Sequence, residues 1–493
     1  MNRTPATRGA GTMRRAPADE GAAGGGSGGE VIVSLYEKAP EIYPRARVGP
    51  NLGYFQRWRW ALVWLTQFVF YSGPWFRWNG RQAFLFDLAQ RKFYLWGLVL
   101  WPQDVIYLTA LLVISALSLF LFTAVAGRLW CGFACPQTVY AEIFMWIERR
   151  IEGDRARRMA LDKAPMSPRK FALKSAKHAV WVALALWTGF TFVGYFSPVD
   201  ELGRSLLRLD LGPWEAFWIL FYAFATYGNA GWMREQVCKY MCPYARFQSA
   251  MFDHDTLIIT YDQQRGEPRG AVSRSQDRAA AGLGHCVDCG FCVQVCPTGI
   301  DIRKGLQYEC IGCAACIDAC NHVMQKNALP PGLIRYSTQR ALSEHSSTRE
   351  LLARVFRPRV MVYTAILLGV IFALVLSLAL RVPLKVDVIR DRGALAREVA
   401  GDQVENVFRL QVMNTTETRQ SYAIQAQGLE GLKVASEPQF DVDPASTRSI
   451  VLRLQAPRDT IPPGSNRILL QVQGQDDASI KVSEKTVFFG LNR

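Results

Sequence analysis

The chain has 493 residues, 50% of them hydrophobic and 12% aromatic, and 57 Lys and Arg against 42 Asp and Glu give it a net charge of +15. At about 150 residues per domain the length points to roughly three domains, and the apolar content excludes a mostly disordered chain. Nucleic-acid binding is not needed to explain the charge: no helix-turn-helix, zinc-finger or aromatic-plus-basic pattern accompanies it, and residues 381–493 contribute only +1, from 15 Lys and Arg against 14 Asp and Glu.

In chain order, residues 1–50 open with a Gly, Ala, Arg and Ser-rich run that cannot bury a core and reads as a disordered cytoplasmic tail. With no apolar stretch before Trp58, the first membrane segment is expected to act as its own signal. Five segments, near 59–76, 104–126, 179–196, 213–231 and 359–380, are apolar over the length of a span, which takes about 20 helical residues. Trp58, Trp75, Trp101, Trp214 and Trp232 stand at their ends as an interfacial belt. The stretch 128–177 carries eleven Lys and Arg, whereas 197–212 carries only Arg204 and Arg208 against Asp200, Glu201 and Asp210. Positive residues stay inside, so the first is expected in the cytoplasm, the second outside, and the C-terminal region outside. The loop 77–103 dissents, with Arg77, Arg81, Arg91 and Lys92 on the outer side.

The expected fold is therefore a polytopic α-helical membrane protein of about five transmembrane helices, with an inserted two-cluster ferredoxin domain and a C-terminal all-β immunoglobulin-like sandwich. The expected divisions are a four-span region at 54–252, a cytoplasmic ferredoxin-like domain at 253–357, a fifth span at 358–381 and the sandwich at 384–493. The last rests on alternating stretches such as LKVDVIR, VFRLQVM, SIVLRLQ and NRILLQVQG, separated by turn residues.

All twelve Cys fall between Cys131 and Cys320. Cys286, Cys289, Cys292 and Cys296 form C-x2-C-x2-C-x3-C-P, and Cys310, Cys313, Cys316 and Cys320 repeat it with Asn321 in place of the Pro. Three thiolates two residues apart wrap three corners of a cubane, and the fourth is carried off to the other cluster. One [4Fe–4S] cluster is accordingly expected on Cys286, Cys289, Cys292 and Cys320, and a second on Cys310, Cys313, Cys316 and Cys296. A zinc ribbon uses two C-x2-C pairs, fewer than the thiols present here.

The other four are Cys131 and Cys135-Pro136, then Cys238 and Cys242-Pro243, the two pairs 107 residues apart. Each follows a helical hairpin, which suggests a duplicated unit. If helical, each pair shares one face. Four soft thiolates at the cytoplasmic surface suit copper(I), a further iron–sulfur cluster or redox dithiol chemistry, and buried inert cysteines are the plain alternative. His178 only borders a span, so transmembrane haem is not expected, nor is a proton path, which needs ionisable residues in the span interiors. His254 and His285 lie near the Cys motifs as candidate metal ligands, with packed or solvated side chains as the plainer reading.

MCPYARFQSAMFDHDTLIITYD, RGEPRG, CVQVCPTGIDIRKGLQYECIGCAACIDAC and GLIRYST resemble the FixG/RdxA/CcoG proteins, the cytochrome c oxidase accessory family. The resemblance runs from about Tyr54 to the C-terminus and is most specific between Arg234 and Thr338; His254 stands where relatives more often have Lys. It implies a bacterial inner-membrane protein with a periplasmic immunoglobulin-type domain. It also implies a cupric reductase that makes Cu(I) for the copper centre of cbb3-type oxidase, with copper as substrate and copper-delivery and oxidase-assembly proteins as partners. The electron donor, cytoplasmic or quinol, stays open. So do two other readings: a quinol-linked electron-transfer subunit and a non-catalytic assembly scaffold.

Overall fold

The computed structural model describes residues 53–491, apart from 272–277, 279, 345–349, 351–353, 392 and 394; the tail expected at 1–50 lies outside the described residues. Among the described residues nine α-helices precede the ferredoxin segment: α1 Tyr54–Ser72, α2 Val105–Ala126, α3 Leu129–Phe133, α4 Pro136–Glu152, α5 Arg155–Lys163, α6 Pro168–Val193, α7 Val199–Arg208, α8 Pro213–Thr226 and α9 Pro243–Met251. Proline opens α4, α6, α8 and α9, where its missing N–H costs nothing and its fixed φ suits the first turn. Later come α10, Ala315–Lys326, and α11, Pro358–Ala379.

Among the described residues three helices are long and apolar enough to cross a membrane: Pro102–Ala126, Pro168–Val193 and Pro358–Ala379. The most apolar stretch of the first has no part buried inside the protein, so lipid is its natural solvent. The helix expected from Ala179 begins eleven residues earlier, at Pro168. Its basic first half reads as loop, but ion pairs hold it helical: Lys177 Nζ lies 2.9 Å from Glu152, and Lys174 Nζ 3.0 Å from the same carboxylate. Beside it, Glu148 pairs with Arg158 at 2.6 Å and Arg234 at 3.2 Å. The helix α8 stops after 14 residues and widens into a seven-residue π-helix, Tyr227–Met233, a form that gathers at functional sites.

The dissenting loop 77–103 is not a loop. Phe84–Asp87, Lys92–Leu95 and Leu98–Leu100 (β1 to β3) form an antiparallel sheet whose Leu85, Tyr94, Val99 and Trp101 pack with Met413 of the C-terminal domain. Its cations are used locally. Arg81 pairs with Glu417 at 2.5 Å, Arg77 pairs with Asp200, and Lys92 donates to the Ala445 carbonyl at 3.0 Å. The segment 77–103, the turn after α6 and the C-terminal domain thus gather at one end of the chain. At the other, two strands, β4 Ile258–Tyr261 and β5 Ile334–Ser337, pair antiparallel and close the ferredoxin core.

Two facing sheets make up the C-terminal domain. One contains Leu384–Arg390 (β6), Arg397–Val399 (β7), Gln403–Asn414 (β8), Lys433–Val434 (β10) and Thr447–Pro457 (β12). The other contains Gln420–Gln427 (β9), Gln439–Val442 (β11), Gly464–Gly474 (β13) and Lys481–Gly490 (β14). Alternate residues point inward, and Phe408, Leu410, Tyr422, Leu452, Leu454 and Phe488 fill the space between sheets, the arrangement of an immunoglobulin-like sandwich.

On β8, between β7 and β12 in the first sheet, Glu405 is 3% exposed and accepts hydrogen bonds from Arg397 Nε at 2.7 Å and Gln455 Nε2 at 2.6 Å. Burial alone would raise its pKa, but the bonds from Gln455 and Arg397 outweigh burial and hold the carboxyl below its ordinary value. A depressed acid stabilises the fold above its unfolded pKa, about 4.3, and that stabilisation is lost as the pH falls through the folded value. Amide protection of β8 and β12 in hydrogen exchange is therefore expected to fall below about pH 4. Glu405→Gln should start lower at neutral pH and lose less on acidification; an acid response identical to wild type would remove Glu405 as its source.

Candidate functional site

The ferredoxin segment repeats its backbone as well as its cysteines. Asp288 and Gly312 both take positive φ just before the second Cys of each run, and Gly290 and Ala314 do so just after it. Each left-handed pair turns the chain sharply around the middle cysteine, so that neighbouring thiols face one space. Cys286, Cys289, Cys292 and Cys320 line one cavity, walled by Tyr261, Leu333 and Ile334. Cys296, Cys310, Cys313 and Cys316 line another, walled by Ile259, Ile302 and Ile311, and Cys292 borders both. Burial pushes the thiols up, to about 11 for Cys292 and about 12 for Cys310 and Cys320. A bare thiolate is therefore disfavoured there until a metal takes the charge and releases the proton. Apolar cavities ringed by four thiols fit [4Fe–4S] groups.

The two C-x3-C-P pairs share one geometry, and it is not the single helical face expected from their spacing. Cys131 lies in the short α3, and Cys238 lies in the π-turn Val237–Met241. Cys135 and Cys242 have left the helix: each is extended and is the N-cap of the helix opened by the following proline. Both amides bond back five residues, Cys135 N to Trp130 O at 3.1 Å and Cys242 N to Val237 O at 2.8 Å. The positive ends of α4 and α9 thus point at the second thiol of each pair. Burial, then the Cys135 thiol, push Cys131 up to about 11. Burial, then the thiols of Cys135, Cys131 and Cys242, push Cys238 up to about 12. Thiols from two distant motifs therefore converge closely enough to repel as thiolates. Among the described residues no three Cys, His, Asp or Glu side chains close on a point tightly enough for one bare ion.

This four-thiol group lies against the second ferredoxin cavity. A Cβ on Gly132 would stand 2.7 Å from the Cys313 Cα and N and 2.8 Å from the Gly312 carbonyl carbon. Only a residue without a side chain lets the backbones approach so closely. Cys131 and Cys238 pack with Ile311 and Cys313 in one apolar cluster. Lys239 Nζ donates to Thr298 O at 2.9 Å, and Arg128 donates to the carbonyls of Tyr308 and Ala245. The wholly buried Gln248 accepts from Cys131 Sγ at 3.3 Å. Asp318, on α10, caps α1 from across the chain, accepting from Phe55 N at 3.2 Å and Gln56 N at 2.9 Å. Of these, sequence spacing pointed only to the cysteines.

Three of the histidines have hydrogen-bond partners other than the thiols. His285 Nδ1 accepts from Arg265 Nε at 2.9 Å, His178 shares a 3.0 Å hydrogen bond with the Tyr227 hydroxyl, and the His254 carbonyl accepts from Arg340 N at 3.1 Å.

Three family profiles match the chain. One described as a 4Fe-4S dicluster domain covers 233–339, one described as a 4Fe-4S binding domain covers 108–153, and the immunoglobulin-like fold at the C-terminus of FixG covers 374–491. The nitrogen fixation protein FixG of Rhizobium meliloti is 38% identical over 440 residues, 83% of each chain. Protein RdxA of Cereibacter sphaeroides is 34% identical over 475 residues, 92% of this chain and 98% of that one. Protein RdxB of the same organism is 37% identical over 399 residues, 79% of this chain and 83% of that one. With its apolar helices, its iron–sulfur domains and relatives matched over most of their length, the chain is a membrane-associated iron–sulfur electron-transfer protein and belongs to the FixG/RdxA family.

Proposed function

We propose that the chain carries single electrons through its ferredoxin segment to the four thiols of Cys131, Cys135, Cys238 and Cys242, and there reduces Cu(II) to Cu(I) for the copper centre of a cbb3-type oxidase. In this reading Cys286, Cys289, Cys292 and Cys320 hold one [4Fe–4S] cluster, and Cys310, Cys313, Cys316 and Cys296 hold the other. When bound, the clusters supply one-electron transfer. The carrying observation is the backbone contact of Gly132 with Cys313, which sets the C-x3-C-P thiols directly against the second cavity. Thiolate donors prefer Cu(I) to Cu(II), so the same side chains favour the reduction and retain its product for copper-delivery partners. The helices α1, α2, α6, α8 with its π-turn, and α11 would be the five spans of a bacterial inner-membrane protein. The ferredoxin end, with its eleven cations in 128–177, would be cytoplasmic, and the sandwich, gathered with 77–103, periplasmic.

One observation favours a second reading. The 4Fe-4S binding profile over 108–153 contains Cys131 and Cys135 and none of the ferredoxin cysteines. Four thiols from a repeated motif would then hold a third cluster in a quinol-linked electron-transfer chain. Anaerobic iron, sulfide and copper analysis with EPR distinguishes the two, comparing wild type with a variant carrying Ala at all four C-x3-C-P positions. About eight irons in both proteins, with copper on wild type alone, is the expected result. About twelve irons falling to about eight would overturn the copper site in favour of the third cluster.

A further inference from the structure

An open basin of about 1160 Å³ lies between the 149–158 segment, where α4 ends and α5 begins, and α10. Arg149, Arg150, Arg155 and Arg157 of that segment and Lys326 of α10 line it, against the one carboxylate of Asp154; Arg158 lines it too, buried and paired with Glu148. Arg150, Arg157 and Lys326 are exposed. Cys289 also lines the basin, and of the twelve cysteines it alone is exposed; the others are buried or half-buried. The same Cys289 borders the first thiol-lined cavity. One side chain thus joins a positive, open depression to a candidate cluster.

We propose that this basin is the docking site of an acidic one-electron carrier protein and that its electron enters the chain at Cys289. The inference rests on the reading that Cys286, Cys289, Cys292 and Cys320 hold a cluster. Charge complementarity selects the partner. A concave surface of one sign raises the encounter rate of an oppositely charged carrier by about 10 to 1000-fold and makes it fall steeply with salt. A [4Fe–4S] group accepts one electron at a time, so a nicotinamide, which gives two as hydride, does not match it unaided. Anionic lipid headgroups would match the cations but would leave the exposure of Cys289 without a use. In the step itself a flavodoxin-type donor fits. Its anionic FMN hydroquinone gives one electron and keeps its N5 proton, becoming the neutral semiquinone, while the cluster gains that electron; no further reactant is needed.

The test uses the full chain, cluster-loaded, in nanodiscs, with reduced flavodoxin as probe. Stopped-flow reduction of the clusters is expected to slow steeply as salt rises from about 0.05 to about 0.3 M. The variant Arg150→Glu/Arg157→Glu/Lys326→Glu is expected to react at least about tenfold slower at low salt and to bind oxidised flavodoxin more weakly in interferometry. Iron content should match wild type, and photoreduced deazaflavin, small and uncharged, should reduce both at one rate. Arg204→Glu/Arg208→Glu, at the other end of the chain, should leave the flavodoxin rate unchanged. A salt-independent rate, or a triple variant as fast as wild type, overturns the proposal. An unchanged flavodoxin rate, with stability lost only in phosphatidylglycerol nanodiscs, assigns the basin to lipid headgroups and likewise overturns it. Because the readout is cluster reduction and binding, its result stands apart from whether copper is the final acceptor.

Discussion

The double variant Cys131→Ala/Cys135→Ala is expected to lose Cu(II) reduction altogether while keeping about eight irons in the ferredoxin segment. Those two thiols supply half of the four-thiol group. The more searching variant leaves every thiol in place. In Gly132→Ala the new methyl meets the Cys313 and Gly312 backbone at 2.7–2.8 Å, with no flexible side-chain end to give way. Relief comes only by moving α3 away from the loop, at a cost of about 1–3 kcal/mol for an overpacked contact. Displacement of about 1 Å between reacting groups can cost on the order of 100-fold, so anaerobic cupric reduction is expected to slow by about that factor. EPR of the dithionite-reduced protein checks that the ferredoxin segment persists. Gly203→Ala is the matched control, since its Cβ would meet nothing nearer than Phe190 at 4.0 Å. A Gly132→Ala protein as fast as wild type would remove the direct route from the second cavity to the thiols.

What could be read from the sequence was whatever is local and periodic. The strands of the sandwich follow from two-residue alternation, and the apolar helices α2 and α11 follow from length and composition alone. The repeated cysteine runs are as local, because thiols two residues apart share a turn whatever surrounds them. The rest depends on partners far along the chain. Phe84–Leu100 forms a sheet because Tyr94 and Trp101 find Met413, and its cations make sense only once Glu417 and Asp200 lie beside them. Gly132 is one glycine among 39 until Cys313 is brought against it. The C-x3-C spacing suggested a shared helical face, but the proline after each second cysteine starts a new helix and turns that cysteine into its cap. Two different local rules, helical spacing and the proline start, competed at Cys135 and Cys242, and the second prevailed because the preceding turn closes five residues back instead of four.

At the end of the chain remote from the ferredoxin, Asp104→Ala is expected to loosen the sandwich from the helices. Asp104 is 5% exposed and closes the start of α2, accepting from Trp101 N at 3.0 Å. Its two oxygens also meet Arg381 at 2.8 Å, just after α11, and Lys385 of β6. One carboxylate therefore ties α2, α11 and the first strand of the sandwich to a single point. Removing it leaves the Arg381 guanidinium, whose side chain is 9% exposed, with the Val99 carbonyl but no counter-charge. Breaking a buried pair from one side costs about 3–5 kcal/mol, much of it the uncompensated charge. Limited proteolysis should then release the 384–491 domain at far lower protease than wild type requires, while iron content stays the same. Arg381→Met together with Asp104→Ala should recover part of the loss, since removing both charges of a buried pair is often close to neutral. A single Asp104→Ala protein as resistant as wild type would show that the Met413 and Trp101 cluster, not the ion pair, holds the two parts together.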